Sequence, residues 1–363
     1  MMNWYDNLTT LEIDVSSFCN AACPSCRRTQ HREDLSLMHF DLNVWKRLWL
    51  FDLKNITIKK LVLNGNWGDP MMHKDFVEML KYPIMHNPDI QISIDSNGGY
   101  RTEKFWSNLA EVLNDYNRPV IVRFGIDGTT NYSNNIYRVD VLYDTVIRNA
   151  RAFINAGGFA QWNMTVFDHN YHQVRDALHL AADYNFISFR SRKSYSRKIF
   201  DKDDNVRATT YCYENKNHKI KKLVYNNFDD IESRLNFNED IFTMIRLPQA
   251  DRELKNVKLY IEPLLLDHKC VWFRERRLQI DPYMNVWPCC HISGELMDND
   301  SNKEHFKLDI FEDSWKKYEY KCNNLKHNSF KDVIQHNYFT KEIDDAVNSA
   351  RWKPCVTFCG VDK

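Results

Sequence analysis

Three cysteines stand close together near the start of the chain, at Cys19, Cys23 and Cys26, with the spacing C-x3-C-x2-C. Soft thiolates packed this tightly suit one corner of an iron–sulfur cluster. Three ligands for four irons leave one iron open to a small molecule. A zinc site completed by a distant His or Cys is the other reading of the same spacing. The chain has 10 cysteines in all. Cys270 and Cys289 bracket a segment in the last third, and Cys355 and Cys359 close the sequence as C-x3-C. Cys290 and Cys322 lie in the same region, and a structural zinc site is one reading of that group. Cys212 sits alone and reads as a plain thiol. In a reducing compartment, clustered cysteines bind metal or do chemistry rather than form disulfides.

Composition removes several function classes. Lysine plus arginine and aspartate plus glutamate both number 49, so no global basic face argues for nucleic acid. Hydrophobic residues make up 43% of the 363, enough for a packed core. The start lacks a basic end followed by an apolar run, and no apolar stretch is long enough to span a bilayer. A cytoplasmic protein with no membrane partner is expected. Neither a Walker loop nor a zinc-protease helix motif is present. The run containing Arg190, Arg192, Lys193, Arg197 and Lys198 is either a solvated loop or a clamp for an anionic group. His31 and His73, lone histidines, read as structural.

These residues need a scaffold. β-branched runs predict strands at 11–16, 61–64, 90–95, 120–126, 161–166 and 186–190. Helical spacing of apolar residues predicts helices at 42–53, 73–81, 103–116, 141–156 and 172–184. Repeated β-then-α units imply a parallel sheet with right-handed crossovers, open or curled into a partial barrel. Ligands then gather at the carboxyl ends of the strands. Residues 200–268 read as an irregular insertion with a helix near 231–245. A hairpin follows, with strands at 277–281 and 286–289.

The motifs resemble those of radical S-adenosylmethionine (radical SAM) enzymes. The three-cysteine motif follows the first strand, as it does in that family. The segment from Leu63 through Gly65, Gly68 and Asp69 to Pro70 is similar to the family's glycine-rich segment, with Asp69 in place of the usual Glu and one residue inserted. Ser96, Asn97 and Gly98 resemble its Thr-Asn-Gly, and Ile126, Asp127 and Gly128 its Ser-Ile-Asp-Gly. Arg138 falls where relatives carry an arginine for the SAM carboxylate. One position departs: the residue before the third cysteine, aromatic in relatives, is Ser25, so adenine packing is expected from Val166 or Phe189. The hairpin and the late cysteines resemble the auxiliary-cluster extensions called SPASM and twitch, as do Asp309 to Trp315.

The resemblance implies an α/β fold: a partial (β/α)6 barrel over residues 1–200, an insertion over 201–268, and a twitch- or SPASM-like auxiliary domain over 269–363. It implies a 4Fe–4S cluster on Cys19, Cys23 and Cys26. It implies SAM contacts from Gly65, Gly68, Asp69, Ser96, Asn97, Asp127 and Arg138. It implies a second 4Fe–4S cluster on Cys270, Cys289, Cys355 and Cys359. The implied reaction is reductive cleavage of SAM to a 5′-deoxyadenosyl radical, then hydrogen abstraction and net oxidation or rearrangement. Electrons would come from a donor such as a flavodoxin or ferredoxin. The substrate is a small molecule or a peptide. With eighteen residues before Cys19, a small molecule, or a peptide delivered by another protein, is favoured. A SPASM-type peptide or protein maturase and a non-catalytic iron–sulfur protein are the alternatives.

Overall fold

The structure is a computed structural model that describes residues 8–30, 35–116, 119–193, 198–200, 206–209, 221–224, 235, 243–247, 272, 275–295 and 321–343. Along the chain come β1 (Thr10–Ile13), α1 (Leu42–Arg47), β2 (Lys60–Leu63), α2 (Phe76–His86), β3 (Gln91–Ser96), α3 (Glu103–Asn114) and β4 (Ile121–Gly125). Then follow α4 (Asn131–Tyr137), α5 (Tyr143–Asn155), β5 (Phe159–Val166), α6 (Val174–Asp183) and β6 (Ser188–Lys193). Short strands β7 (Lys198–Phe200), β8 (Val206–Thr209), β9 (Lys221–Val224) and β10 (Thr243–Arg246) precede β11 (Arg277–Ile280), β12 (Val286–Trp287), α7 (Cys290–Glu295) and α8 (Phe330–Gln335). The class is mixed α/β with a largely parallel sheet. The chain divides into two compact units: Met1–Phe18, His31–Ile92 and Leu265–Lys363 form the first, and Cys19–Gln30 with Ser93–Leu264 the second.

In the first unit, β1 pairs in parallel with both β2 and β11, and β11 turns back antiparallel as β12. All four residues of β1 are buried, two of them polar. Glu12 accepts from Asn66 Nδ2 at 3.0 Å and also engages Asn64 and Arg277. The Arg277 guanidinium lies 4.4 Å from the Trp272 ring centroid. Arg47 donates to the Asn328 carbonyl at 3.1 Å, and Asp52 accepts the Phe330 N–H at 3.2 Å. These bonds fasten the 321–343 segment to α1 and the turn after it. The helix expected to end at Lys81 continues through buried Pro83 to His86, because Phe76, Met79, Leu80 and Pro83 form one buried face.

In the second unit, β4 pairs in parallel with β3 and β5, and β5 with β6. Then β10 adds antiparallel to β6, and β9 parallel to β10. Strand residues alternate between faces. Ile94, Val122, Phe124, Trp162 and Phe189 point into the core, where Trp106, Phe153 and Phe186 pack against them. Each such ring contributes on the order of 1.5–3 kcal/mol by burial. β6 starts two residues later than expected, because the Phe186 N–H still bonds the Ala181 carbonyl behind α6. The helix expected at 231–245 is overturned at its end, and most of the rest lies outside the described residues. Thr243–Arg246 is a strand with a buried–half-buried alternation. β-branched Thr243 and Ile245 facing inward suit that period.

Candidate metal and cofactor site

The three-cysteine loop belongs to the second unit. The Ala22 N–H bonds the Val139 carbonyl at 3.0 Å, and the Cys26 N–H returns to the Cys23 carbonyl at 3.0 Å, closing a tight turn. None of the three cysteines is in a disulfide; Cys23 is buried and the other two are half-buried. Cys19 Sγ accepts from the Ala21 N–H at 3.4 Å and from Asn97 Nδ2 at 3.6 Å. Cys23 Sγ faces Arg138 Nη1 at 3.9 Å. Burial pushes the Cys23 thiol up to about 11, with the Arg138 charge pulling it down.

Ser96 ends β3 and Asn97 follows it, where a parallel strand presents its ligand-facing end. Asn97 Nδ2 also bridges to Asn20 Oδ1 at 2.9 Å, and its Oδ1 takes the Gly99 N–H at 2.7 Å. Ser96 Oγ accepts the Gly98 N–H at 3.0 Å. Gly98 has φ +70°, and a Cβ there would strike the Phe124 ring.

Asp127 follows β4 and is fully buried. Its Oδ2 pairs with Arg138 Nε at 2.6 Å, and its Oδ1 accepts the Thr165 N–H at 2.5 Å. Asn134 Oδ1 takes the Asp127 N–H at 2.9 Å, and Asn170 Nδ2 donates to the Asp127 carbonyl at 2.7 Å. Arg138 is the residue after α4, whose start is secured by reciprocal bonds between Thr130 and Ser133. The guanidinium lies over Gly125, where a Cβ would come within 2.7 Å of Nη2. Burial works against the Arg138 charge, but Asp127 and Cys23 outweigh it and hold the guanidinium protonated beyond its ordinary range.

Ser25 is met by an aromatic from elsewhere. Tyr137 Oη lies 2.8 Å from Ser25 Oγ, and its ring packs 4.6 Å from that of Phe167. Nothing in the sequence signalled this pair, which is 112 residues apart. Val166 and Phe189, expected to pack against adenine, are both fully buried. Phe189 sits against Trp162 on the core face of β6, so its ring is not presented to a ligand.

The glycine-rich segment belongs to the first unit. Gly68 lies directly on the chain before Cys19: a Cβ there would come within 2.5 Å of the Ser16 and Phe18 carbonyl oxygens. The Asp69 N–H bonds the Phe18 carbonyl at 2.8 Å, and Asp69 Oδ1 caps the turn Pro70–Met72 through the Met71 N–H at 2.9 Å. Gly65 is exposed. Asp14, one residue past β1, accepts the Trp67 N–H at 3.1 Å and Gln279 Nε2 at 2.8 Å, tying this segment to β11. Glu12 and Asp14 are not among the residues the motifs single out, although two acids at period two in an apolar strand signal a polar face.

Burial raises the Asp14 pKa to about 7, against the lowering effect of its hydrogen bonds. A raised carboxyl pKa favours the fold below the unfolded value of 3.8, and that contribution is lost as pH rises through about 7. Relative to Asp14→Asn, the wild type should therefore lose stability between pH 4.5 and 7.5. Urea unfolding at several pH values checks this; a pH-independent difference contradicts it.

Of the late cysteines, Cys289 is buried at the end of the hairpin, Cys290 opens α7, and Cys322 is half-buried, its thiol pushed by burial up to about 11. Burial lowers the Arg277 pKa to about 10, while the nearby Cys290 and Cys289 favour its charge. Cys270, Cys355, Cys359, Cys212 and the segment from Asp309 to Trp315 lie outside the described residues. Among the described residues, no three His, Cys, Asp or Glu side chains gather about a single metal-ion position.

The donor set at the first motif fits an iron–sulfur cluster. It offers three thiols outside any disulfide on a short loop, with N–H groups directed at two of the sulfurs. Ligating sulfur carries negative charge and is stabilised by such donors.

No protein-family model matches the sequence, and no curated protein matches it. Solved structures do. anSMEcpe with bound AdoMet superposes with a TM-score of 0.53 at 15% identity, over 97% of this chain and 84% of that one. SuiB of Streptococcus suis bound to S-adenosylmethionine gives 0.51 at 12% identity, over 82% and 62%. SuiB bound to its precursor peptide SuiA gives 0.50 at 15% identity, over 81% and 62%. This chain therefore spans less than two thirds of the length of SuiB. At such identities the likeness is one of architecture: the chain has the fold of these radical SAM enzymes.

Proposed function

We propose that this chain is a radical SAM enzyme, holding a 4Fe–4S cluster on Cys19, Cys23 and Cys26 and binding SAM beside it. The observation that carries the reading is the three-cysteine loop, with Asn97 and Arg138 directed at its sulfurs, in a fold shared with proteins that bind AdoMet. When bound, such a cluster supplies the electron that cleaves the SAM sulfonium to a 5′-deoxyadenosyl radical.

The protein's own residues then bind and orient. Gly65 and Gly68 let backbone approach the ligand closely, and Asp69 holds the turn that presents them. Ser96 and Asn97 offer polar groups to the ribose. Arg138, anchored by Asp127, faces the cysteine loop. The half-buried Asp95, Arg123, Asn163, Arg190 and Arg246 lie on the sheet face opposite the core of the second unit. They offer hydrogen-bonding groups to a polar substrate. A peptide is the favoured substrate, because SuiB binds its precursor peptide SuiA. A second 4Fe–4S cluster on Cys289 with Cys270, Cys355 and Cys359, with Cys290 or Cys322 able to replace one ligand, would accept an electron and make the reaction a net oxidation. A flavodoxin or ferredoxin would reduce the first. The core domain would span 1–200 and the auxiliary domain 269–363, with 201–268 between them.

Anaerobically reconstituted protein given SAM and dithionite should form 5′-deoxyadenosine, measured chromatographically. An iron-loaded chain that forms none would overturn the enzymatic reading.

A further inference from the structure

We propose that Arg138 acts on the Cys23 sulfur as a positioning residue, with Asp127 as its anchor, and thereby sets the reduction potential of the cluster bound by Cys19, Cys23 and Cys26. This rests on the function proposed above and deepens it.

Three features of the guanidinium carry the inference. Its Nε is committed to Asp127 Oδ2 at 2.6 Å. Its Nη1 faces Cys23 Sγ at 3.9 Å. Its Nη2 side lies over Gly125, the position where any larger residue would displace it. Asp127 is itself held in place: Thr165 N–H bonds its second oxygen, and Asn134 and Asn170 bond its backbone. The Tyr137 ring, 5.5 Å from the guanidinium carbon, borders Arg138 on another side. The result is a cation fixed beside one cluster ligand through a buried carboxylate. Potentials of such clusters follow local charge, hydrogen bonds to sulfur and solvent exposure. Reduction adds one negative charge to the cluster. A cation held next to a ligating sulfur therefore stabilises the reduced form, and an anion nearby opposes it.

The two members of the pair thus predict opposite effects. Arg138→Gln removes the positive charge and leaves Asp127 uncompensated, so the midpoint potential falls. Asp127→Asn keeps the carbonyl acceptor for Thr165 but leaves Arg138 uncompensated, so the potential rises. Arg138→Lys retains the charge and stays nearer the wild-type value than Arg138→Gln does. The experiment is a redox titration of the reconstituted full chain. It is followed by electron paramagnetic resonance on the signal that responds to added SAM, with circular dichroism to confirm folding. General loosening of the site would move both variants the same way. Opposite shifts, with partial rescue by lysine, are the expected result. A loaded cluster whose potential ignores both substitutions, or shifts in the same direction in both, overturns the proposal alone. A wild type that loads no cluster overturns it together with the function beneath it.

Discussion

Replacing Asp127 with alanine is expected to destabilise the protein by about 3–5 kcal/mol, the usual range for breaking a buried ion pair from one side. Asp127 is fully buried and its partner Arg138 half-buried, with side-chain exposures of 0% and 17%. The substitution leaves a guanidinium in a low-dielectric site with no counter-charge. It also strips the Thr165 N–H of its acceptor, which by itself costs about 1–3 kcal/mol. Neither loss is made good by a neighbour, since Asn134 and Asn170 bond the Asp127 backbone rather than its carboxylate. Urea unfolding followed by circular dichroism measures the effect. A loss below about 1 kcal/mol would put the pair in the class of weak surface bridges and contradict the buried anchor described above.

The second large effect concerns metal content. Changing Cys19, Cys23 and Cys26 together to alanine should remove about four irons per chain, the content of one cubane cluster. Any iron held by the late cysteines should remain. The loop itself should survive, because its fold rests on backbone bonds to Val139 and within the turn, and on Ser25 meeting Tyr137. Iron and sulfide counted on wild type and variant after anaerobic reconstitution decide the matter. Equal iron in both would mean that the cluster, if present, sits elsewhere. Zinc in place of iron would return the motif to its structural alternative.

The cysteine motif was legible because its spacing is local, three cysteines within eight residues, whatever the surrounding fold. The strands expected at 11–16, 61–64, 90–95, 120–126 and 161–166 were legible within a few residues of their ends because short apolar and β-branched runs mark strands locally. Other parts of the site were not. α4 has the sequence Asn131–Tyr137 with little apolar periodicity, and it forms through its Thr130–Ser133 cap instead. The approach of Tyr137 to Ser25 and the parallel pairing of β1 with β11 join segments far apart in sequence, and no local signal encodes them. The strand at Thr243–Arg246 is hidden in a segment with helical spacing, because a four-residue apolar alternation fits either period. Arg138 stands out in the sequence only through the resemblance to radical SAM enzymes. That it would pair with Asp127, with the free arm of the fork beside Cys23, is a tertiary fact.

The central claim is that Cys19, Cys23 and Cys26 hold a cluster with one iron open to SAM. Electron paramagnetic resonance of the dithionite-reduced protein, recorded with and without SAM, tests it most directly. The expected result is a 4Fe–4S signal that changes on adding SAM and is missing from the triple-alanine variant. An iron-loaded protein whose signal ignores SAM, or a SAM-dependent signal that persists without the three cysteines, would contradict it.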